Sequence, residues 1–203
     1  MKNNKFLLRK EYKFVLSNKE TLNFFKFYSK TIKKLHPDRK IISLYFDTSN
    51  FHYYKSSILN DVDKIKIRFR QYPQNSLAIY KEIKINSQNG KEKLSELTEY
   101  SKLSSIKNVM YENYLLTPAL YVEYDREYYE VENSIRVTID NKIFYSVPRN
   151  RSLFSKKIIE DKTIVEFKLL DESFTDVEKL FFKNPQAFSK FSKFFDLVII
   201  FFA

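Results

Sequence analysis

The chain has 203 residues, a length that suits one sizeable domain or at most two small ones. Its formal net charge of +11 predicts a polyanionic partner, which is nucleic acid, an acidic membrane surface or a phosphate compound. Because cysteine is absent and histidine occurs only twice, the composition excludes disulfides and thiolate metal sites and makes carboxylates the expected metal ligands, which favours Mg²⁺ or Mn²⁺ over Zn²⁺.

The first predicted elements are a strand and a helix. Leu8 to Leu16 reads as the strand, with polar and apolar residues on opposite faces. Ser17 and Glu20 have the spacing of a capping box, which begins a helix. Apolar residues at near-helical spacing make this helix amphipathic and extend it to near His36 and Pro37. These residues are Leu22, Phe25, Tyr28, Ile32 and Leu35.

A strand at Ile41 to Thr48 and a short helical piece at Asn50 to Ser57 precede the most regular stretch of the chain, Lys64 to Tyr72. In this stretch charged and apolar residues alternate strictly, as in a β-strand. One face therefore carries four cations, which are Lys64, Lys66, Arg68 and Arg70. One interpretation is an edge strand whose charged face is solvated and resists aggregation. The other is a strand that brings its cations to a shared binding site.

The second half of the chain continues with alternating patterns. Leu77 to Asn86 is predicted to form an antiparallel hairpin with the preceding strand, and Asn89-Gly90 marks a tight turn into Lys91 to Leu94. Ser101 to Leu116 has the spacing of an amphipathic helix. Three strands, a basic loop and a last helix follow. The strands are Pro118 to Val131, Asn133 to Tyr145 and Thr163 to Leu170, the loop is Ser146 to Lys162, and the helix begins after Asn184-Pro185.

Each predicted strand has one apolar face and one face of mixed, mostly positive charge. About eight strands of this kind, with amphipathic helices to cover an apolar exterior, predict a closed antiparallel barrel that is charged inside. Such a lumen requires interspersed carboxylates, water and a polyanionic guest, because unpaired buried charge is costly. An open sheet with one solvated face is the simpler alternative, and periodicity alone leaves it open.

Eight short motifs occur in the order seen in the VTC domain. They are Arg9-x-Glu11-x-Lys13, Ser43-x-Tyr45-Phe46-Asp47-Thr48, Lys66-x-Arg68-x-Arg70-x-Tyr72, Glu82-x-Lys84, Tyr124-Asp125-Arg126, Arg136-x-Thr138-x-Asp140, Glu166-x-Lys168 and Lys190-Phe191-Ser192-Lys193. From about residue 8 to residue 195 the chain therefore resembles the catalytic domain of the vacuolar transporter chaperone (VTC) polyphosphate polymerases, in the triphosphate tunnel metalloenzyme (CYTH-like) superfamily. The resemblance implies an α+β fold, with an antiparallel eight-stranded β-barrel that forms a charged tunnel and amphipathic helices packed outside.

The resemblance also implies an activity, the transfer of the terminal phosphoryl group of ATP to a polyphosphate chain with Mn²⁺ or Mg²⁺. The catalytic residues that would grip phosphates are Lys13, Arg68, Arg70, Lys84, Arg126 and Arg136. Further substrate-binding residues would be Lys66, Tyr72, Lys93, Lys168, Lys190, Ser192 and Lys193, although the pattern leaves Lys91 as the alternative to Lys93. Glu166 would hold the metal, and Glu82 is expected to orient neighbouring cations. With a single glycine in the chain, side chains and not a glycine-rich loop must hold the phosphates.

Two features set this sequence apart from other tunnel proteins. Arg9 stands where many tunnel enzymes carry a glutamate, which suits a VTC-like member and argues against the adenylate cyclase and thiamine-triphosphatase branch. Eukaryotic relatives are attached to further domains and a membrane anchor, whereas this sequence has no signal-peptide-like start and no stretch of about 20 apolar residues. We therefore expect a single domain over residues 1–203, cytoplasmic, with a separate membrane-protein partner that would hold it at the inner face of a membrane.

Two other functions stay open. One is a non-catalytic or hydrolytic module that binds polyphosphate or other triphosphate-containing anions in the same tunnel. The other is a basic nucleic-acid binder, which would explain the charge and the aromatic content through backbone contacts and base stacking. Nucleic acid is disfavoured, because its binder should carry cations on an exposed surface and not at alternate positions of every strand.

Overall fold

The computed structural model describes residues 10–58, 63–74, 76–87, 90–132, 135–148, 157–169, 185–186, 188–191 and 193. Within these ranges the chain forms strands that pair antiparallel, and two α-helices. The helices are α1, Asn18–Phe27, and α2, His52–Ile58. The strands are β1 Lys10–Leu16, β2 Lys33–Asp47, β3 Lys64–Tyr72, β4 Ser76–Ser87, β5 Gly90–Leu97, β6 Val109–Tyr111, β7 Tyr114–Val131, β8 Ile135–Ser146, β9 Lys157–Glu160 and β10 Thr163–Leu169.

The chain divides into two compact units, and the long strands β2, β7 and β8 contribute residues to both. The first unit comprises Met1–Arg39, Asp125–Lys142 and Asp161–Phe188. The second unit comprises Lys40–Tyr124, Ile143–Glu160 and Ser189–Ala203. Among the described residues, neighbouring strands follow the order β1-β10-β8-β7-β2 in the first unit and β7-β2-β3-β4-β5 in the second, with β6 on β7 and β9 on β8. The predicted α+β fold, with eight strands in a mainly antiparallel order, is confirmed.

Helix α1 covers the apolar face of the sheet in the first unit. The predicted capping box begins the helix, because Ser17 Oγ accepts from the Glu20 backbone N–H at 3.4 Å while the Glu20 carboxylate accepts from the Ser17 N–H at 2.8 Å. The centroid of the Phe24 ring lies 6.0 Å from that of Phe167 on β10. The Phe167 centroid lies 5.4 Å from that of Phe14 on β1. All three rings are fully buried, and each contributes about 1.5–3 kcal/mol to the free energy of unfolding.

In the second unit, the alternation along β3 separates an apolar core from a charged face. Ile67 and Phe69 are buried in a core that includes residues of β2, β4 and α2, while Arg68 and Arg70 point to the opposite face. Strand β3 lies between β2 and β4, and both arginines are buried. The interpretation of this stretch as an edge strand with a solvated face is therefore wrong.

Three predicted elements differ from the structure. The amphipathic helix over 101–116 is wrong, since this stretch holds a 3₁₀ turn at Leu103–Ser105 and the hairpin of β6 and β7. Its helical spacing arises because Leu103 and Ile106, three residues apart on that turn, both enter the core. Glu112 at the hairpin turn has a φ of 51°, a left-handed conformation that no helix could contain. The predicted loop 146–162 contains β9, which pairs with β8.

The first helix is also shorter than predicted. It ends at Phe27, and the Ile32 N–H donates to the Tyr28 carbonyl to close the turn before β2 begins. Leu35 belongs to that strand, and Leu22 is 70% exposed, so neither belongs to a buried helical stripe. The residues from Lys33 onward pair with β7 as strand β2, although their apolar spacing predicts a longer helix.

Some predictions fall on residues that the structure does not describe. These are Arg9, Ser192 and most of the helix expected after Asn184-Pro185. None of the helices in the described ranges has the length and apolar character needed to cross a membrane.

Candidate functional site

The charged face of β3 in the second unit carries two buried guanidinium groups. Arg68 and Arg70 are 9% and 7% exposed, and Glu82 on β4, which stands opposite Arg68, is 3% exposed. Arg68 Nε donates to Glu82 Oε2 at 2.8 Å, and Arg68 Nη2 lies 2.6 Å from the same oxygen. Arg70 Nη1 lies 3.6 Å from this oxygen, and Lys93 Nζ donates to Oε1 at 2.7 Å. Three cations therefore share one carboxylate, in agreement with the orienting role predicted for Glu82.

The electrostatics of this cluster favour the ionised forms of Glu82 and Arg68. Burial alone would raise the pKa of Glu82, but Arg68, Arg70 and Lys93 outweigh it and lower the pKa to about 2. Burial alone would lower the pKa of Arg68, but the neighbouring Tyr45 and Glu82 raise it. The cluster thus keeps an excess of positive charge inside the protein at neutral pH. An anion with several oxygens would neutralise that excess, and guanidinium groups bind such oxygens in bidentate fashion.

Arg70 is held mainly by hydroxyl oxygens. Its Nε donates to Ser43 Oγ at 3.3 Å, its Nη1 to Tyr72 Oη at 3.5 Å and its Nη2 to Tyr124 Oη at 3.4 Å. These distances lie at the long end for hydrogen bonds. Phosphate oxygens could therefore replace the hydroxyl acceptors at little cost, and the predicted substrate contact Tyr72 lies beside the group that would bind them.

Tyr45 completes the acceptors of Arg68. Its hydroxyl accepts from Arg68 Nη1 at 2.9 Å, and the side chain is 5% exposed. Burial alone would raise the pKa of the phenol, but the charges of Arg68, Arg70 and Lys66 outweigh it and lower the pKa to about 7. This hydroxyl is therefore an unusual acceptor, since a tyrosine ordinarily stays protonated far above neutral pH.

Three predicted lysines lie side by side on adjacent strands. Lys66 on β3 stands opposite Lys84 on β4, which stands opposite Lys93 on β5. Lys66 Nζ donates to Ser189 Oγ at 2.9 Å, and Lys84 is exposed. Sheet register thus extends the cationic face of Arg68 and Arg70 along the strands.

A segment near the C-terminus packs on this face. Phe191 is buried with its ring 5.2 Å from that of Tyr45, and Lys190 Nζ lies 4.4 Å from the ring centroid of Tyr124, a cation–π distance. Lys193 Nζ lies 3.5 Å from the carboxylate of Glu160 on β9. Lys190 therefore lies beside the second unit's charged face and Lys193 lies beside β9 of the same unit, while Ser192 between them lies outside the described residues.

The remaining predicted residues lie in the first unit. Arg126 on β7 forms a bidentate ion pair with Asp140 on β8, with Nε to Oδ1 at 2.5 Å and Nη2 to Oδ2 at 2.7 Å. Arg136 on β8 is exposed and stands opposite Lys168 on β10. Of the two predicted phosphate-gripping arginines here, Arg126 is engaged by a carboxylate and Arg136 projects from the surface of the unit.

Glu166 on β10 is surrounded by cations of the same unit. It stands opposite Lys13 on β1, and its Oε1 lies 3.6 Å from Lys168 Nζ. Burial alone would raise the pKa of Glu166, but Lys168, Lys13 and Arg126 outweigh it and lower the pKa. The carboxylate is therefore ionised at neutral pH. Lys13 Nζ also donates to the Phe188 carbonyl at 3.4 Å.

The residues around Glu166 fit a divalent ion that takes most of its ligands from a bound phosphate and water. Among the described residues, no group of three or more His, Asp or Glu side chains could form an all-protein metal cage. Mg²⁺ beside a phosphate substrate usually needs only one or two carboxylates, since phosphate oxygens and water complete its shell. The ionised Glu166 can supply one such carboxylate, and Asp140 lies close enough to raise the pKa of Glu166.

Four polar residues of these clusters were not among the predicted site residues. Ser43, Tyr45 and Tyr124 contact the two arginines of β3, and Asp140 pairs with Arg126. Their positions on the charged strand faces follow from alternation, and all four lie inside the motifs quoted above. Alternation does not show which neutral hydroxyl will meet a guanidinium, because that depends on cross-strand register.

Comparisons with known proteins give one family and one fold. The family model described as the VTC domain matches residues 2–104 and 91–202. No curated protein matches the sequence.

Several solved structures are similar to this chain. The PH1819 protein from Pyrococcus horikoshii OT3 is 13% identical with a TM-score of 0.51, and the match covers 95% of this chain and 99% of that one. A candidate adenylate cyclase from Vibrio parahaemolyticus is 12% identical with a TM-score of 0.52, covering 93% and 97%. HpAC1 from Hippeastrum, described as having a dominant triphosphatase activity, is 14% identical with a TM-score of 0.52, covering 92% and 94%. At these identities the likeness shows a shared fold, that of the triphosphate tunnel proteins.

Proposed function

Because this chain belongs to the VTC domain family, within the triphosphate tunnel metalloenzyme superfamily, we propose that it is a polyphosphate polymerase. In the proposed reaction, the bond between the γ-phosphorus and the bridging oxygen of ATP breaks. A terminal oxygen of the polyphosphate chain bonds to that phosphorus, and ADP leaves. The polymer grows by one phosphate in each turnover.

The observation that carries this proposal is the cluster of Arg68, Arg70 and Lys93 around the single carboxylate of Glu82. Phosphoryl transfer requires the protein mainly to position phosphates and to neutralise the charge that spreads over their oxygens. Two buried arginines that face a single buried carboxylate are prepared for that task before the substrate arrives. It supports a ligand with several negative oxygens at close spacing, as in a triphosphate or polyphosphate.

The proposal gives the two units different tasks. In the second unit, the arginines of β3 would hold phosphate oxygens, and the lysines of the same face would follow the chain. These lysines are Lys66, Lys84, Lys93, Lys190 and Lys193. In the first unit, Glu166 would hold Mn²⁺ or Mg²⁺, which supplies charge neutralisation at the transferring phosphate when it is bound. Lys13, Arg126, Arg136 and Lys168 would contribute further positive charge there.

Burial separates this proposal from nucleic-acid binding. A protein that binds nucleic acid presents Lys and Arg on an accessible surface, where they replace counterions along the phosphate backbone. Arg68 and Arg70 are instead buried beneath their neighbouring side chains. That placement suits a narrow anion that can pass between the covering side chains and reach the guanidinium groups, such as a linear polyphosphate.

A separate membrane-protein partner at the inner face of a membrane remains part of the proposal, on the strength of the family resemblance. Expressing the tagged chain in its own cell and separating soluble and membrane fractions would test it. Recovery in the membrane fraction that salt alone cannot release supports a protein partner, whereas full recovery in the soluble fraction contradicts it.

The activity is tested by incubating the purified protein with ATP and Mn²⁺ and separating the products on a gel stained for polyphosphate. Long polymer together with ADP supports the polymerase. ADP with free phosphate and no polymer would identify a hydrolase. Tripolyphosphate binding without any turnover would identify a binding module.

A matched control makes the assay specific for the proposed site. Lys34→Ala removes an exposed cation that pairs with a neighbour on its own strand, Asp38. It lowers the net charge by as much as Arg68→Ala does. Polymer synthesis should survive Lys34→Ala and be lost in Arg68→Ala.

A further inference from the structure

Tyr45 on β2 stands opposite Arg68 on β3 and lies on the charged face without being one of its cations. Its hydroxyl lies 2.9 Å from Arg68 Nη1, and the Arg68 Cζ atom lies 5.7 Å from the centroid of the Tyr45 ring. Glu82 occupies the Nε and Nη2 side of the same guanidinium. Two oxygens, one on either side, thus hold Arg68 when no ligand is bound.

Positive charges face this hydroxyl from the neighbouring strand. Arg68, Arg70 and Lys66 on β3 all favour its negative form, and Arg68 also donates a hydrogen bond to it. Glu82 on β4 contacts the same guanidinium as Tyr45, and it is the carboxylate on the far side of that group.

The other elements around the ring bring little opposing charge. The C-terminal segment contributes the buried Phe191, whose ring also lies 6.0 Å from that of Tyr54 on α2. The Tyr124 hydroxyl on β7 accepts from Arg70, and Lys190 lies over the Tyr124 ring. Asp47, further along β2, directs its carboxylate at the backbone N–H groups of Thr48, Tyr53 and Tyr54.

We propose that Tyr45 is a positioning residue that supplies the negative oxygen facing Arg68 when the site is empty, and that an incoming phosphate anion displaces this charge as the phenolate takes up one proton from solvent. Because a bound phosphate would add a third negative group beside Glu82 and the phenolate on one guanidinium, the bound anion favours the neutral phenol. The proposal rests on the proposed function only in placing a phosphate-type anion at Arg68 and Arg70. It does not depend on phosphoryl transfer.

Anion affinity should fall as pH rises above neutral. The lowered pKa of Tyr45, about 7, means that a large part of the free protein carries the phenolate above neutral pH. Binding must then be accompanied by proton uptake, so affinity for the anion falls as pH rises, by at most about tenfold per pH unit. Below neutral pH the phenol is already protonated, and the coupling disappears.

The test is calorimetric titration of tripolyphosphate into the metal-free full chain, across about pH 6 to about pH 8.5, in buffers of different ionisation enthalpy. Tyr45→Phe is the informative variant, since it keeps the ring that packs on Phe191 and removes only the hydroxyl. Tyr121→Phe is the control, because that buried hydroxyl donates to Glu123 at 2.9 Å and lies in the apolar core. We expect proton uptake at alkaline pH in the wild type and in Tyr121→Phe, and none from this source in Tyr45→Phe.

A spectroscopic measurement checks the wild type without any variant. Tyrosinate has its own ultraviolet absorbance, and the other shifted tyrosines described by the structure, Tyr28, Tyr53, Tyr111, Tyr121 and Tyr129, all have raised pKa values. A tyrosinate signal that appears near neutral pH and is suppressed by tripolyphosphate supports the proposal. Tripolyphosphate binding with the same proton count and pH profile in wild type and Tyr45→Phe would overturn it while leaving the proposed function intact. Absence of tripolyphosphate binding at every pH would overturn both.

Discussion

Glu82 Oε2 accepts a hydrogen bond from Arg68 Nε at 2.8 Å and lies 2.6 Å from Arg68 Nη2, in a pair whose members are 3% and 9% exposed. Arg70 and Lys93 also depend on this carboxylate. A buried ion pair of this kind adds little to stability compared with apolar residues, but loss of one partner leaves an uncompensated charge. The Glu82 carboxylate therefore offsets the destabilising effect of the clustered cations when no ligand is bound.

Glu82→Gln should destabilise the protein, because it removes the one carboxylate that Arg68, Arg70 and Lys93 share. We expect the free energy of unfolding to fall by about 2–4 kcal/mol and Tm to drop by roughly 5–10 °C. Tripolyphosphate should restore part of this loss and raise Tm more than in the wild type, since it supplies the missing negative charge. Thermal unfolding followed by circular dichroism measures both effects. Glu96→Gln, which removes a largely exposed partner of Lys81, should change Tm little.

The same carboxylate should make stability depend on acid pH. The pKa of Glu82 is about 2 in the folded protein against an ordinary value of 4.5. Since the folded pKa is the lower one, the contribution is complete above about pH 4.5 and is lost as pH falls towards about 2. Urea unfolding at a series of pH values should show a steeper loss of stability over this window in the wild type than in Glu82→Gln. Parallel curves for the two proteins would contradict the assignment.

Glu166→Gln should separate the metal role of Glu166 from a structural role. If Glu166 holds the divalent ion, metal-dependent turnover should fall at least about a hundredfold while tripolyphosphate binding without metal stays the same or tightens. If it only anchors Lys168 and Lys13, the variant should lose thermal stability and binding together. Turnover with and without EDTA, metal-free binding and Tm on one preparation distinguish these outcomes. Glu123→Gln, which removes a carboxylate paired with Lys40, is the control.

Ser17→Ala should weaken the start of helix α1 without touching either charged cluster. The substitution removes the acceptor for the Glu20 N–H and should cost about 1 kcal/mol, or roughly 2–4 °C in Tm. Ser17→Asn, which keeps a capping oxygen, should retain most of the stability. Equal Tm values for wild type and Ser17→Ala would show that the capping box contributes nothing measurable. Tripolyphosphate affinity should be the same in all three proteins.

Strand alternation was the most informative signal in the sequence. Lys64 to Tyr72 is predicted with the bounds that the structure has, because strict alternation leaves only one register in which Ile67 and Phe69 are buried. The capping box at Ser17 is equally local, since its atoms belong to residues within one helical turn. Helical spacing was less informative: Leu103 and Ile106 satisfy it from a single 3₁₀ turn.

The contacts of the candidate site could be predicted only in part. Alternation places Arg68, Arg70 and Glu82 on charged faces, so their meeting follows once β3 and β4 pair as a hairpin. The ion pair between Arg126 and Asp140 depends on the register of β7 with β8, which local patterns do not determine. The role of Tyr45 was hidden for a different reason. A tyrosine on a strand is usually a packing residue, and its altered pKa arises only from the cations gathered around it.

The most direct test of the central claim is the affinity of metal-free tripolyphosphate for the wild type, for Arg68→Ala and for Lys34→Ala, measured by calorimetry at one salt concentration. The claim is that buried arginines on β3 bind phosphate oxygens, and each such charge-assisted contact contributes roughly 2–3 kcal/mol. We therefore predict that Arg68→Ala weakens binding by about 30-fold or more, whereas Lys34→Ala changes it less than about twofold. Equal losses in the two variants, or an Arg68→Ala variant that stays folded and binds as tightly as the wild type, would contradict the claim.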